Sequence, residues 1–182
     1  MIDDLIQDAT RRMDKSVEST HQELNSIRTG RASAALLDRV QVDYYGQKTP
    51  LKQLATINVP EPRMLTVQPF DPNAIRDIER AIQESDLGLN PSNDGKMIRL
   101  PIPQLTEERR QELVKVARQI AEEGRVAVRN VRRDVIHHLK DEQSVGADDE
   151  RRAEERVQKL TDEHVKHIDD LLKRKEAEIT EV

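Results

Sequence analysis

The chain has 182 residues, 36% of them charged against 35% hydrophobic, with a formal net charge of −5 and a mean hydropathy of −0.79. With no cysteine it has neither a disulfide framework nor a thiolate zinc site, which suits a reducing compartment. The acidic balance gives no global attraction to nucleic acid or membrane, so any such binding must come from a local patch. The scarce apolar material has to be laid in stripes along helices.

Ile2, Ile6, Ala9, Met13, Val17, Thr20, Leu24 and Ile27 recur at threes and fours, with Asp3 and Asp4 at the end the helix dipole favours, and this predicts a first helix. The opening holds no apolar run long enough for a signal or a membrane span, so the cytoplasm is the expected location and no membrane partner is expected. The helix is expected to stop at Arg28-Thr29-Gly30-Arg31, where Gly30 supplies permissive backbone. Arg28 and Arg31 suit two roles there, capping the helix carbonyls or extending a basic surface.

The texture then changes. All eight prolines fall between Pro50 and Pro103, and the three aromatics, Tyr44, Tyr45 and Phe70, lie in the same region. Alternation predicts strands over residues 40–45, 64–70 and 97–102, with a turn at Gly46-Gln47. On a strand Tyr44 and Tyr45 point to opposite sides, so at most one is a stacking platform for a base and the other is core. Asp71 is an N-cap with Pro72 at the first helical position, Ile75, Ile78 and Ile82 form a buried stripe, and Gly88 is placed to end this short helix. The region reads as a small α+β unit.

Leu100-Pro101-Ile102-Pro103-Gln104-Leu105 is extended by its prolines, and Thr106 caps a long helix, with Glu107 and Glu108 in its first turn, expected to run to about Gln143. Leu113, Ala117, Ile120, Gly124, Ala127 and Val131 share one face, while Arg118, Arg125, Arg129 and Arg132 fall within an arc of about 60° on the other. From Gly124 to Arg133 the segment has four arginines, Arg133 included, and no acid. Arg125, Arg129 and Arg132 have no acid three or four residues away except Glu122 beside Arg125, so intrahelical pairing does not account for the ridge. Phosphate, which a planar guanidinium grips bidentately, fits such a ridge; a merely solvated face is the alternative. Gly124, costing about 1 kcal/mol of helix propensity, is read as a point of close helix approach.

A third helix opens at Asp148, with Ala153, Val157, Leu160, His164, Ile168 and Leu171 facing inward. An elongated three-helix bundle from residues 1–29 and 106–182, interrupted by an inserted α/β domain at 30–105, gives every stripe a partner. The overall class is α+β. Thr29-Gly30-Arg31 and Pro103-Gln104-Leu105-Thr106 are the expected hinges.

No P-loop, GxGxxG or GxSxG is present, the carboxylates lie on regular helical surfaces, and the His137-His138 and His164/His167 pairs lack a supporting ligand set. Neither catalysis, cofactor nor metal is therefore expected. A non-enzymatic helical interaction or scaffold protein is the competing reading.

Arg28-Thr29-Gly30-Arg31-Ala32, Tyr44-Tyr45-Gly46, Asp86-Leu87-Gly88-Leu89-Asn90-Pro91, Leu105-Thr106-Glu107-Glu108-Arg109-Arg110 and the run from Arg125 to Asp134 together resemble the bacterial ribosome recycling factor family, across nearly the whole chain. The resemblance implies an L-shaped monomer with a mobile inserted domain. It implies binding to the large ribosomal subunit after termination, and subunit splitting with elongation factor G, which hydrolyses the GTP. It implies rRNA contacts through Arg129 and Arg132, with Arg28, Arg31 and Arg110 as further candidates. The stretch Val135-Ile136-His137-His138-Leu139 departs from the family pattern, being less basic and shorter by about one helical turn.

Overall fold

The computed structural model describes residues 1–181, and the chain divides into two compact units. One comprises Met1–Thr29 together with the chain from Thr106 onward; the other is Gly30–Leu105.

The first unit is a bundle of α1 (Ile2–Asn25), α3 (Glu107–Asp141) and α4 (Ala147–Thr180). Side chains that meet across it give the directions. Arg12 reaches Asp134 and Thr20 abuts Gly124, so α1 and α3 are antiparallel. Arg156 reaches Asp3 and His164 reaches Asp14, so α1 and α4 run the same way. The 35 residues of α3 are unbroken, about 52 Å at 1.5 Å per residue. Thr106 caps it as expected, its hydroxyl accepting from the Arg109 N–H at 3.1 Å.

The buried face of α1 follows the expected stripe from Ile6 to Leu24. That of α3 is turned relative to expectation. Ala121 and Val128 are fully buried, whereas Ile120 and Ala127, expected inside, are only half-buried. A helix with two partners buries a wider arc than one stripe, and here the arc extends toward α4. The same holds in α4, where Thr161 is buried and Leu160 half-buried. His164, expected inside, lies at the α1–α4 contact, its side chain 11% exposed and its Nε2 2.6 Å from Asp14 Oδ1.

Gly124 is a point of close approach between α1 and α3. A Cβ there would collide with Thr20 Oγ1 and meet Thr20 Cγ2 at 3.1 Å and Ile168 Cδ1 at 3.2 Å. Thr20 stays satisfied while buried, since its hydroxyl donates to the Ser16 carbonyl at 2.8 Å.

The second unit pairs a hairpin, β1 (Gln41–Tyr44) with β2 (Gln47–Pro50), and an antiparallel four-stranded sheet. The sheet has the order β3 (Ala55–Glu61), β4 (Met64–Pro69), β6 (Ile98–Pro101), β5 (Ser92–Asn93). Strands β2, β3 and β5 were not foreseen. The first is polar and the third is two residues long, so neither shows sustained alternation. The second does alternate, Ala55, Ile57 and Val59 against Thr56 and Asn58, but Pro60 and a register break between Asn58 and Glu61 interrupt it. Pro60 and the irregular register suit β3 to the sheet edge.

Helix α2 (Ile75–Glu84) buries Ile75, Ile78 and Ile82 as the spacing predicts. Asp71 caps a single 3₁₀ turn, Pro72–Ala74, that leads into it. The helix ends at Glu84 with Ser85 as cap, earlier than Gly88 suggested; the Ser85 hydroxyl donates to the Ile82 carbonyl at 2.6 Å and closes the last turn. Gly30, at φ +77°, packs close beside Leu105, so both ends of the inserted segment meet within this unit.

One loop of this unit holds a carboxyl below its ordinary range. Asp94 accepts backbone N–H groups from Lys96 and Met97 and pairs with Arg99 at 2.8 Å, which lowers its pKa to about 2 from 3.8. A depressed carboxyl stabilises the fold above its unfolded pKa, and that contribution fades as pH falls from about 4 to about 2. In acid titrations followed by hydrogen exchange, Asp94→Asn should flatten the pH dependence of amide protection at Lys96 and Met97 across that window. Wild-type dependence in the variant would refute the assignment.

Candidate nucleic-acid interface

The expected arginine ridge divides into distinct environments. Arg118, Arg125 and Arg132 do not stand on a face turned away from the bundle. They line the shoulder of α3 beside α4, because the buried arc of α3 reaches that side. Arg118 Nε donates to Glu176 at 2.8 Å, and Arg125 Nε to Asp169 at 2.7 Å. Arg125 also bonds Glu122 at 3.0 Å and is only 18% exposed. Its burial opposes the charged form, but the hydrogen bonds to Asp169 and Glu122 outweigh it and raise the guanidinium pKa. These two arginines clamp α3 to α4.

Arg132, one heptad further along, has no carboxylate in ion-pair contact among the described residues. Its Nη1 donates to the neutral Gln158 Oε1 at 3.2 Å. Arg129 is 40% exposed and, among the described residues, pairs with Glu122 alone, at 3.8 Å. Arg133 is exposed. Arg129, Arg132 and Arg133 therefore form a short stretch of accessible, weakly compensated positive charge.

The other candidates lie elsewhere. Arg110 is in the same helix but 22 residues before Arg132, about 33 Å along the axis, and only 9% exposed, with its Nε buried and without a hydrogen bond. Arg28 is exposed just past α1 in the bundle unit, and Arg31 is exposed in the inserted unit. The structure thus does not bring Arg28 or Arg110 together with Arg129 and Arg132.

The pairing partners on α4 escaped the sequence reading, which sought acids only within one helix. A signal existed. Asp162, Asp169 and Glu176 repeat every seven residues, as do Arg118, Arg125 and Arg132, and two antiparallel helices bring such series into register.

The aromatic pair also differs from expectation. Tyr45 and Gly46 form the two-residue turn of the first hairpin, both at positive φ (49° and 80°), so Tyr45 has left the strand. Instead of opposing each other, the two rings meet edge to face with centroids 4.5 Å apart. Tyr45 is 77% exposed, while the half-buried Tyr44 donates its hydroxyl to Asp71 Oδ2 at 3.0 Å. That bond to a carboxylate raises the Tyr44 pKa above its ordinary value.

A three-helix bundle with a cationic shoulder, interrupted after its first helix by a small antiparallel-sheet unit, defines a class of two-unit α+β proteins. Residues 20–180 match the family model described as Ribosome recycling factor. The chain is 57% identical over 180 residues to the ribosome-recycling factor of Rubrobacter xylanophilus, covering 97% of each chain. It is 55% identical over 185 residues to that of Syntrophomonas wolfei, covering both in full. A solution structure of the ribosome recycling factor matches with a TM-score of 0.77 at 45% identity, covering 100% of this chain and 98% of that one. A second match, at TM-score 0.64 and 47% identity with 100% of both chains covered, is the Thermus thermophilus factor. It comes from models of that factor and Escherichia coli elongation factor G bound to the E. coli post-termination complex. The chain belongs to the ribosome recycling factor family.

Proposed function

We propose that this chain binds the large subunit of the post-termination ribosome through the arginine face of its bundle. With elongation factor G and GTP it then promotes separation of the subunits and release from mRNA. The observation that carries this reading is the accessible charge at Arg129, Arg132 and Arg133, four residues or fewer apart on one helix of an otherwise acidic member of this family. Guanidinium groups that carboxylates compensate only weakly are suited to rRNA phosphates, which they engage with release of counterions.

In this mechanism the bundle is the anchor and the chain performs no hydrolysis itself; the partner factor hydrolyses GTP. The inserted unit, residues 30–105, moves relative to the anchored bundle through Thr29-Gly30-Arg31 and Pro103-Gln104-Leu105-Thr106. The protein acts as a cytoplasmic monomer, the companion factor and the ribosome being its partners.

The test is binding to purified large ribosomal subunits across a salt series for wild type, Arg129→Ala and Arg132→Ala. Each substitution should weaken binding roughly tenfold, the scale of one charge-assisted hydrogen bond, and lower the salt slope by somewhat less than one. Salt-insensitive binding that ignores both substitutions would move the interface off this face. Absence of binding would return the chain to the scaffold reading.

A further inference from the structure

Arg118, Arg125 and Arg132 recur every seven residues on α3, facing Glu176, Asp169 and Asp162 at the same interval on antiparallel α4. The first two pairs close directly. The third does not: Gln158 lies between, accepting from Arg132 Nη1 at 3.2 Å and donating from its own Nε2 to Asp162 Oδ1 at 2.9 Å. An ionised carboxylate only accepts hydrogen bonds, so Asp162 takes the amide N–H and turns the amide oxygen of Gln158 toward Arg132.

The consequence is electrostatic. Glu176 and Asp169 hold their arginines and also cancel their charge, whereas Gln158 holds Arg132 with a neutral oxygen and leaves the charge available. We infer that Gln158, oriented by Asp162, is a positioning residue that presents the Arg132 guanidinium to a phosphate of the large-subunit RNA. This rests on the proposed rRNA contact of Arg132. A long side chain fixed before binding loses less conformational freedom when it meets its ligand. The relay supplies that order without the competing carboxylate that a direct pair with Asp162 would introduce.

Gln158→Met keeps the length and removes the acceptor. Binding to purified large ribosomal subunits across a salt series is measured for Gln158→Met, Arg132→Ala and the double variant, with Arg129→Ala paired to Gln158→Met as reference. The expected loss for Gln158→Met is roughly two- to tenfold, the ordering of one long side chain. That loss disappears in the Arg132→Ala background and persists in full beside Arg129→Ala. A role confined to bundle packing predicts the same factor in both backgrounds, and that result overturns the inference. So does wild-type affinity for Gln158→Met when Arg132→Ala is impaired. If Arg132→Ala itself binds as wild type, the rRNA reading of Arg132 fails first and the positioning role falls with it.

Discussion

Arg132→Glu is expected to weaken attachment to large ribosomal subunits by on the order of 100-fold, and to bring recycling assayed with elongation factor G and GTP close to the rate without the factor. Arg118→Ala is expected to leave both within about twofold, the scale of an exposed salt bridge. The contrast follows from their partners. Arg118, 64% exposed, is neutralised by Glu176, and its loss removes one surface ion pair. Arg132 donates to the neutral Gln158 oxygen and has no carboxylate in ion-pair contact among the described residues, so its charge is free to meet phosphate. Reversal removes a charge-assisted bond worth about 1.5–3 kcal/mol and sets a carboxylate against the anion. Subunit-splitting rates and binding isotherms, with melting curves to verify folding, make the comparison. Equal behaviour of the two folded variants would dissolve the division of the ridge into clamp and contact residues.

The largest stability effect belongs to Gly124. Gly124→Val is expected to cost about 3 kcal/mol and lower the bundle's melting temperature by roughly 10–20 °C. The smaller Gly124→Ala gains about 1 kcal/mol of helix propensity, yet forces its methyl into Thr20, which is β-branched, buried and bonded to Ser16. Thr20 cannot turn aside freely, because its Cγ2 and Ile168 Cδ1 already stand at 3.1 and 3.2 Å from the new atom. Overpacking of about 1–3 kcal/mol then exceeds the propensity gain. Thr20→Ala removes the obstruction, so Gly124→Ala should be tolerated in that background, with a coupling of at least about 1 kcal/mol in a double-mutant cycle. Additive effects in urea melts, or stabilisation by Gly124→Ala alone, would contradict the close-approach account.

Periodicity made the helices legible. Three long stripes at threes and fours, the caps at Asp71 and Thr106 and the proline-rich middle segment are local features, and each imposes its element through backbone geometry and the need to bury one face. Short or polar strands such as β5 and β2 left no such mark, since their places depend on pairing with β6 and β1. Likewise the Tyr44–Tyr45 pair could not be oriented until the hairpin put Tyr45 into a left-handed turn.

By itself, the sequence determined the helix stripes, the arginine spacing, the small residue at Gly124 and enough motif order to indicate the family. Which arginines retain usable charge was decided only by tertiary structure. That outcome depends on what α4 sets opposite α3: carboxylates at Glu176 and Asp169, but the amide of Gln158 beside Arg132. Residues 26 to 58 positions apart in the chain meet there, and an intrahelical reading over three or four residues contains no information about them. Charge is set by residue type, whereas its neutralisation is set by distance, and distance across a bundle is a property of the packed helices.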